Sequence, residues 1–181
     1  MTVESPGDRS QESLFATIGA REIPSTQVDL RVHRADAEHV PLLLPVEANT
    51  WLGWNDHDVL WLAPDGWLIT ANARSSDPGQ LISDLETLVS GVHHSLVDVS
   101  ANRDVLELAG EHRYELLSTG CGLDLHPRSW RDGMCAQTLL ARVPVILQER
   151  ADTTRVFVRP SYRDYLVDWL RDSAHGPIHA G

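Results

Sequence analysis

The sequence predicts an α+β domain in which two layers pack together: a mainly antiparallel sheet, and helices on one of its faces. Three observations favour this class. Short strand patterns are interspersed with helix patterns. Several strands are joined by turns too tight for the crossovers that parallel strands need. No run of strand–helix–strand units with continuously apolar strands is present. A doubly wound fold is the alternative, which the tight hairpins disfavour.

The 181 residues are expected to form one domain with two tails. Residues 1–25 are rich in Ser, Glu, Asp, Gly and Pro, which predicts a flexible arm. One apolar island, Leu14 to Ile18, interrupts this arm. Residues 26–173 are predicted to form the domain, and residues 174–181 a flexible tail.

The first elements are a strand and a hairpin. Apolar Val28, Leu30 and Val32 alternate with polar neighbours, which is the period of a half-exposed strand. Two apolar runs then flank the turn Pro64-Asp65-Gly66. Proline presets φ and glycine accepts positive φ, so this segment predicts a buried β-hairpin.

A helix is predicted next, with Asp77 as its N-cap, Pro78 at its first position and its end near Gly91. Its apolar positions share one face: Leu81, Ile82, Leu85, Leu88 and Val89. Two strands follow over residues 96–99 and 105–108. A short helix over residues 111–118 is predicted to stop at Gly120.

The last part of the chain predicts strands over residues 136–142, 143–149 and 155–158, followed by a helix. Ser161 is the expected cap of this helix, with Asp164 three residues later. The positions predicted to share its apolar face are Tyr162, Tyr165, Leu166, Trp169 and Leu170.

Composition excludes several classes of function. The formal charge of −11 disfavours nucleic acids and anionic membrane surfaces, because both require a basic footprint. All basic residues are arginine, which removes Schiff-base chemistry and lysine-dependent phosphate loops. The N-terminus lacks a signal-peptide pattern, and no run approaches the roughly 18 apolar residues of a membrane span. A cytoplasmic location is therefore expected.

The residues indicate no active site. Neither a dinucleotide-binding fingerprint nor a phosphate loop is present, and Gly120-Cys121-Gly122 follows a helix. A nucleophile, a base and an orienting group could be drawn from Ser95, from His93 or His94, and from Asp98. The sharp turn that exposes a catalytic nucleophile does not accompany them. Ordinary strand-edge residues are the preferred interpretation. We predict no catalytic and no cofactor-binding residue in this chain.

The cysteines and histidines predict no metal site either. Cys121 and Cys135 with His112 and His126 fit no ordinary zinc spacing. Cys121 follows a helix C-terminus, whose partial negative charge opposes a thiolate. Asp124 is interpreted as a turn former.

Several sequence blocks in order resemble the gamma subunit of heterotetrameric sarcosine oxidase. Residues 60–68, Leu-Trp-Leu-Ala-Pro-Asp-Gly-Trp-Leu, resemble its LWLGPDEWL signature. Similar blocks lie at residues 44–50, 97–103, 116–125, 133–141 and 159–170. They carry Leu-Pro, Val-Asp-Val-Ser, Gly-Cys with Leu-Asp-Leu, Gly-x-Cys-x-x-Thr and Tyr-Leu-x-x-Trp-Leu motifs. Pro160 departs from the pattern of the last block.

This resemblance implies a specific function. Such enzymes oxidatively demethylate sarcosine to glycine, with hydrogen peroxide and either formaldehyde or 5,10-methylenetetrahydrofolate as products. FAD, FMN, NAD and tetrahydrofolate are then expected on the alpha and beta subunits, and zinc on the delta subunit. The resemblance also implies a fold similar to the folate-binding domain of aminomethyltransferases. The chain itself is expected to be a non-catalytic support of the alpha subunit.

Two alternatives stay open. One is a stand-alone folate-binding or aminomethyltransferase-like protein, and the other is a scaffold in a related enzyme that demethylates N-methylglutamate or dimethylglycine. Aminomethyltransferases carry an acidic residue in the strand that corresponds to residues 143–148, where this chain has no carboxylate before Glu149. We therefore expect no folate catalysis. The residues chosen as candidate partner contacts are Leu14, Phe15, Ile18, Trp51 and Trp54.

Overall fold

Two five-stranded sheets form the centre of the molecule. The computed structural model describes residues 19–72 and 77–174. Its strands are β1 Ala20–Ile23, β2 Ser25–Val32, β3 Trp51–Trp54, β4 His57–Ala63, β5 Gly66–Asn72, β6 His94–Asp98, β7 Asp104–Ala109, β8 Cys135–Leu140, β9 Val143–Glu149 and β10 Thr153–Val158. Its helices are α1 Pro78–Val89, α2 Arg113–Ser118 and α3 Pro160–Ala174.

The strands are ordered β1-β7-β10-β9-β8 in sheet A and β3-β4-β5-β2-β6 in sheet B. The strand pairs in both sheets are antiparallel. The α+β class and the antiparallel pairing are thus confirmed. The strands are divided over two sheets, where the sequence predicted one. The chain passes from sheet A to sheet B between β1 and β2 and returns to sheet A between β6 and β7.

Three apolar clusters define four layers. Leucines and valines of sheet A pack against Leu116 and Leu170 of α2 and α3. Sheet B packs its outer face against α1 and the segment that follows β2. A smaller cluster lies between the sheets: Leu60, Leu68, Val105, Cys135, Ile146 and Phe157. Fully burying one such leucine or phenylalanine contributes about 1.5–3 kcal/mol, so each sheet has most of its apolar stabilisation on its helix-covered face.

The edges of the two sheets also meet. Thr50 forms an isolated antiparallel bridge with Met134. Beside it, the Trp51 amide donates to the Gly133 carbonyl at 2.8 Å, and the Cys135 amide donates to the Asn49 carbonyl at 2.9 Å. These bonds fix the start of β3 in sheet B against the start of β8 in sheet A.

The predicted hairpin and helices are confirmed with small shifts in their bounds. The predicted cap of α3 is wrong, because the helix begins at Pro160 and Ser161 lies within its first turn. Strands β4 and β5 flank the Pro64-Asp65 turn, with a register shift between Trp61 and Ala63. The Asp77 carboxylate accepts from the Gly79 amide at 3.0 Å and so caps α1. Strands β1 and β3 were not predicted; each has only four residues, which is too few for a clear alternating pattern.

The apolar face of α3 differs from the prediction. Tyr162 and Tyr165 are 43% and 52% exposed. The buried positions of the helix are Leu166, Val167, Leu170 and Ala174. The tyrosines lie at the border of this stripe, where an aromatic ring can pack on one side and stay exposed on the other. The Tyr165 hydroxyl donates to the Ala141 carbonyl at 3.2 Å.

The N-terminal boundary also differs. The predicted arm extends to residue 25, but Ala20–Ile23 pairs with β7 and Ser25 begins β2. Leu14, Phe15 and Ile18 lie outside the described residues, as do residues 175–181 of the predicted tail. Within the described ranges, none of the helices combines the length and apolarity that a membrane crossing requires.

Gly120 is required by the packing of α3, and its replacement by alanine is expected to destabilise the fold by about 1–3 kcal/mol. A Cβ atom at this position would lie 2.5 Å from Cζ2 of Trp169 and 3.1 Å from the Ala141 amide nitrogen. Urea unfolding followed by tryptophan fluorescence measures the loss. Gly122→Ala is the matched control, because no atom lies within 4 Å of its added Cβ. Equal stabilities of the two variants would contradict this packing account.

Candidate functional site

The structure does not assemble the nucleophile set that was considered at Ser95. The His94 ring bonds the Glu86 carboxylate at 2.9 Å through Nε2 and lies 2.9 Å from the Val92 carbonyl through Nδ1. Asp98 accepts hydrogen bonds from Ser100, whose hydroxyl and amide hold the pKa of Asp98 below its ordinary value. His94 and Asp98 are thus bonded to residues other than Ser95, and His93 is exposed in the loop before β6.

The His94–Glu86 pair predicts a pH-dependent contribution to stability. The bonds to Val92 and Glu86 raise the pKa of His94 above 6.5. Because the folded pKa is raised, the contribution is present in full below the unfolded pKa and is lost as pH rises through the folded value. We expect His94→Gln to lower Tm more at about pH 5.5 than at about pH 9. In a Glu86→Gln background this difference should shrink; an unchanged difference would contradict the pairing.

The cysteines lie in different layers. Cys135 is buried between the sheets, where burial raises its pKa to about 12, so it remains a thiol. Cys121 is half-buried, with its Sγ 3.8 Å from Thr138 Oγ1. Among residues 19–72 and 77–174, no group of three or more His, Cys, Asp or Glu side chains has the geometry to hold a metal ion.

Glu149 of sheet A accepts four side-chain hydrogen bonds. It is fully buried under α2, and two groups of that helix reach it: Arg113 Nη2 at 3.0 Å and the Tyr114 hydroxyl at 2.7 Å. Trp130 Nε1 and Thr154 Oγ1 donate to its other oxygen at 2.8 and 2.5 Å. Burial and the Glu149 carboxylate raise the pKa of Tyr114 to about 12, which keeps the phenol protonated as a donor.

These four donors make Glu149 a structural residue. A general base must present a free lone pair to a substrate proton, but each Glu149 oxygen already accepts two hydrogen bonds. The first carboxylate after residues 143–148 therefore faces the interior under α2.

A second ionic cluster joins the two sheets. Asp58 of sheet B accepts from Gln148 Nε2 at 2.9 Å and from Arg155 Nη1 at 3.1 Å, and it also pairs with Arg150. Arg155 continues to Glu107, at 3.0 Å. Burial raises the pKa of Glu107, but bonds from Arg21 and Arg155 outweigh it and hold that pKa below its ordinary value. Charge pairs thus hold the sheets together beside their small apolar cluster.

Sequence reasoning missed both ionic clusters. Glu107 lies between Leu106 and Leu108, and Arg155 lies between Thr154 and Val156, so both read as the exposed face of a strand. One signal could have found them. Strands of a two-sheet domain are covered on both faces, so a charged residue among their apolar neighbours requires an opposite charge inside.

Of the predicted contact residues, the structure describes the two tryptophans. Trp51 is half-buried: its Nε1 donates to the Glu149 carbonyl at 2.7 Å, and Arg150 stacks 4.9 Å from the ring centre. Trp54 is half-buried on the outer face of sheet B, 5.2 Å from the His57 ring. The structure does not bring Trp51 and Trp54 into one cluster. Trp51 instead makes contacts within the fold, to the Glu149 carbonyl and to Arg150.

An open groove lies near the outer face of sheet B. Its volume is about 880 Å³, and its walls include Trp61, Trp67, Pro64, Val46 and Ala48, with His33, Arg34 and Glu38 as polar neighbours. The Trp67 indole donates to the Pro45 carbonyl at 2.9 Å, which fixes the loop against the hairpin. Val46 is 81% exposed and Leu43 is 61% exposed. Protein contact sites often combine apolar residues with a polar rim in this way.

Comparison with known proteins identifies the family. The model of the sarcosine oxidase, gamma subunit family matches residues 27–176. Sarcosine oxidase subunit gamma from Arthrobacter sp is 33% identical over 93% of this chain and 88% of its own length. The chain belongs to the sarcosine oxidase gamma subunit family. The counterpart from Corynebacterium sp. (strain P-1) is 32% identical over 91% of this chain and 83% of its own length.

Solved structures agree with the family and the fold. A chain of heterotetrameric sarcosine oxidase from Corynebacterium sp. U-96, in complex with pyrrole 2-carboxylate, superposes with a TM-score of 0.79 at 29% identity. The match covers 95% of this chain and 94% of that one. The glycine cleavage system aminomethyltransferase T from Bartonella henselae gives a TM-score of 0.62 at 14% identity, over 83% of this chain and 44% of its own. The second likeness confirms the expected fold relation.

Proposed function

We propose that this chain is a non-catalytic subunit of a heterotetrameric oxidase that oxidatively demethylates sarcosine to glycine. The observation that carries the non-catalytic role is the occupation of the interior acid groups. Glu149, Asp58 and Glu107 each bind arginines of this chain. Family membership supports the role as a subunit of an oxidase.

The partners are the alpha, beta and delta subunits, with this chain supporting alpha. FAD, FMN, NAD, tetrahydrofolate and zinc are held by those partners. The proposed compartment is the cytoplasm, and two free cysteines are typical of a reducing compartment. Isolated, the chain should be colourless and show no sarcosine-dependent oxygen uptake; a flavin spectrum from the chain alone would refute the non-catalytic role.

The proposed contact surface lies on sheet B beside β3. It includes Val46, Leu43 and Trp54, together with Leu52, which is 36% exposed and pairs with Val59 on β4. Apolar side chains at this exposure gain about 25 cal/mol per Å² when a partner covers them. The apolar island with Leu14, Phe15 and Ile18 is a second proposed contact.

Val46→Asp tests the first contact surface. A charge placed in a desolvated contact should weaken assembly with the partner subunits about 10–100-fold. Each variant is co-expressed with the partner subunits, and the complex is captured through a tag on the alpha subunit. The amount of this chain in the captured complex is the measurement. Val97→Asp is the matched control, because Val97 is 50% exposed on β6 at the opposite edge of sheet B. Equal capture of both variants would remove this surface from the proposal.

The same capture experiment tests the apolar island. Replacing Leu14, Phe15 and Ile18 together by serine is expected to reduce capture without lowering the Tm of the isolated chain. Unchanged capture would remove the island from the proposed contacts.

A second candidate function is folate binding by the isolated chain, favoured by the fold shared with the aminomethyltransferase. A shared fold does not confer its function, and Glu149 is already fully bonded. Titrating the isolated chain with tetrahydrofolate tests this candidate, because tryptophans line the groove. Saturable quenching at micromolar concentration would favour folate binding, and unchanged fluorescence would exclude it.

A further inference from the structure

The layer between the sheets contains side-chain oxygens without hydrogen-bond partners. They are Oε1 of Gln27, Oγ1 of Thr70 and Oε1 of Gln148, which have no partner within the described part of the chain. The three residues are 0%, 1% and 0% exposed. A buried polar group without a partner is destabilising, because folding removes its hydrogen bonds to water and replaces them with none. Three such groups in one layer therefore require an explanation.

The strand registers bring these residues together. Gln27 of β2 pairs with Thr70 of β5, and Thr70 pairs in turn with Asp58 of β4. Residues directly opposite on one face of an antiparallel pair have Cβ atoms about 4.5–5.5 Å apart. Gln148 reaches this row from sheet A, since its Nε2 donates to Asp58 Oδ2 at 2.9 Å. The three oxygens thus belong to one buried row of polar groups.

The bonds made by the side-chain amide nitrogens of the two glutamines show what kind of partner their amide oxygens lack. Gln27 Nε2 donates to the Arg103 carbonyl at 2.9 Å, while Gln148 Nε2 donates to Asp58. Each amide nitrogen therefore already donates to an acceptor, and each amide oxygen still lacks a hydrogen-bond donor. The Thr70 hydroxyl can either donate or accept.

We propose that an ordered water molecule is bound between the sheets by Gln27 Oε1 and Thr70 Oγ1, with Gln148 Oε1 as its third partner. Water has two donors for the amide oxygens and accepts from the threonine hydroxyl. Buried waters typically make about three hydrogen bonds and occur about once per 27 residues. A cation fits less well, because Asp58 already accepts from Arg150 and Arg155. The proposal is independent of assembly with partner subunits.

Crystal structures of the full chain and its Thr70→Val variant test the proposal at a resolution that shows ordered water. The wild type should have one density peak within hydrogen-bond distance of Gln27 Oε1 and Thr70 Oγ1, and the variant should lose it. Thr138→Val, a half-buried change on the helix-covered face of sheet A, should retain the peak. An empty site, or a direct bond between Gln27 Oε1 and Thr70 Oγ1, would overturn the proposal.

Water relaxation dispersion in solution gives a second readout. Thr70→Val and Gln27→Leu should each lose one long-lived water relative to wild type, whereas Thr138→Val should lose none. An unchanged count in both of the first two variants would also overturn the proposal.

Discussion

Glu149→Gln is expected to lower the free energy of unfolding by about 3–5 kcal/mol. The substitution preserves volume but removes the charge that Arg113 Nη2 meets at 3.0 Å, where both side chains are at least nine-tenths buried. The new amide also points donor hydrogens toward Tyr114, Trp130 or Thr154, which already donate to that site. An uncompensated charge and an unpaired donor then remain under α2. Urea unfolding of the isolated chain measures the loss.

Glu115→Gln is the matched control on the same helix. Its carboxylate meets His112 at 3.1 Å, and both side chains are more than 60% exposed. Exposed ion pairs contribute little, so we expect a change within about 0.5 kcal/mol. If Glu149→Gln changed the free energy of unfolding as little as this control, Glu149 would not be a structural residue. A functional role for its carboxylate would then have to be tested.

Asp58→Asn is the second change with a large expected effect, about 3 kcal/mol. It removes the carboxylate that joins sheet B to Arg155 of sheet A and to Arg150 in the turn after β9, while Arg155 retains Glu107. The loss should therefore be somewhat smaller than for Glu149. Hydrogen exchange should also accelerate in β4 and β9, because Asp58 bonds Gln148 across the sheets.

Asp65→Asn provides the comparison for Asp58. Asp65 lies in the turn of the same hairpin, is 60% exposed and meets Arg31 at 3.4 Å. We expect a change within about 0.5 kcal/mol. A double-mutant cycle between Asp58→Ala and Arg155→Ala should give a coupling energy above 0.5 kcal/mol. Additive losses would mean that the sheets are not joined through this pair.

Local chemistry explains which elements could be predicted from the sequence. Pro64, Asp65 and Gly66 determine a turn by their own backbone preferences, and Asp77 with Pro78 determines the start of α1. The leucines of α1 repeat at helical spacing, so the buried face follows from sequence alone. Each of these features depends on residues that lie close together in the chain.

The division into two sheets and the ionic clusters depend on distant residues. Arg155 meets Asp58 from 97 positions away, and Arg113 meets Glu149 from 36 positions away. A single charged residue in a strand looks the same whether it faces water or a buried partner. The pairing therefore follows only once the strand order is known. The family resemblance could be read earlier, because its motifs are contiguous blocks.

The central claim is that this chain acts as one subunit of a four-subunit oxidase. The most direct test is to co-express the chain with the open reading frames that adjoin its gene and to capture the product through a tag on this chain. Native mass spectrometry and an absorbance spectrum then characterise the captured material. The account predicts a yellow complex of four different polypeptides that consumes oxygen when sarcosine is added. A colourless single chain, with the neighbouring polypeptides left in the unbound fraction, would contradict it.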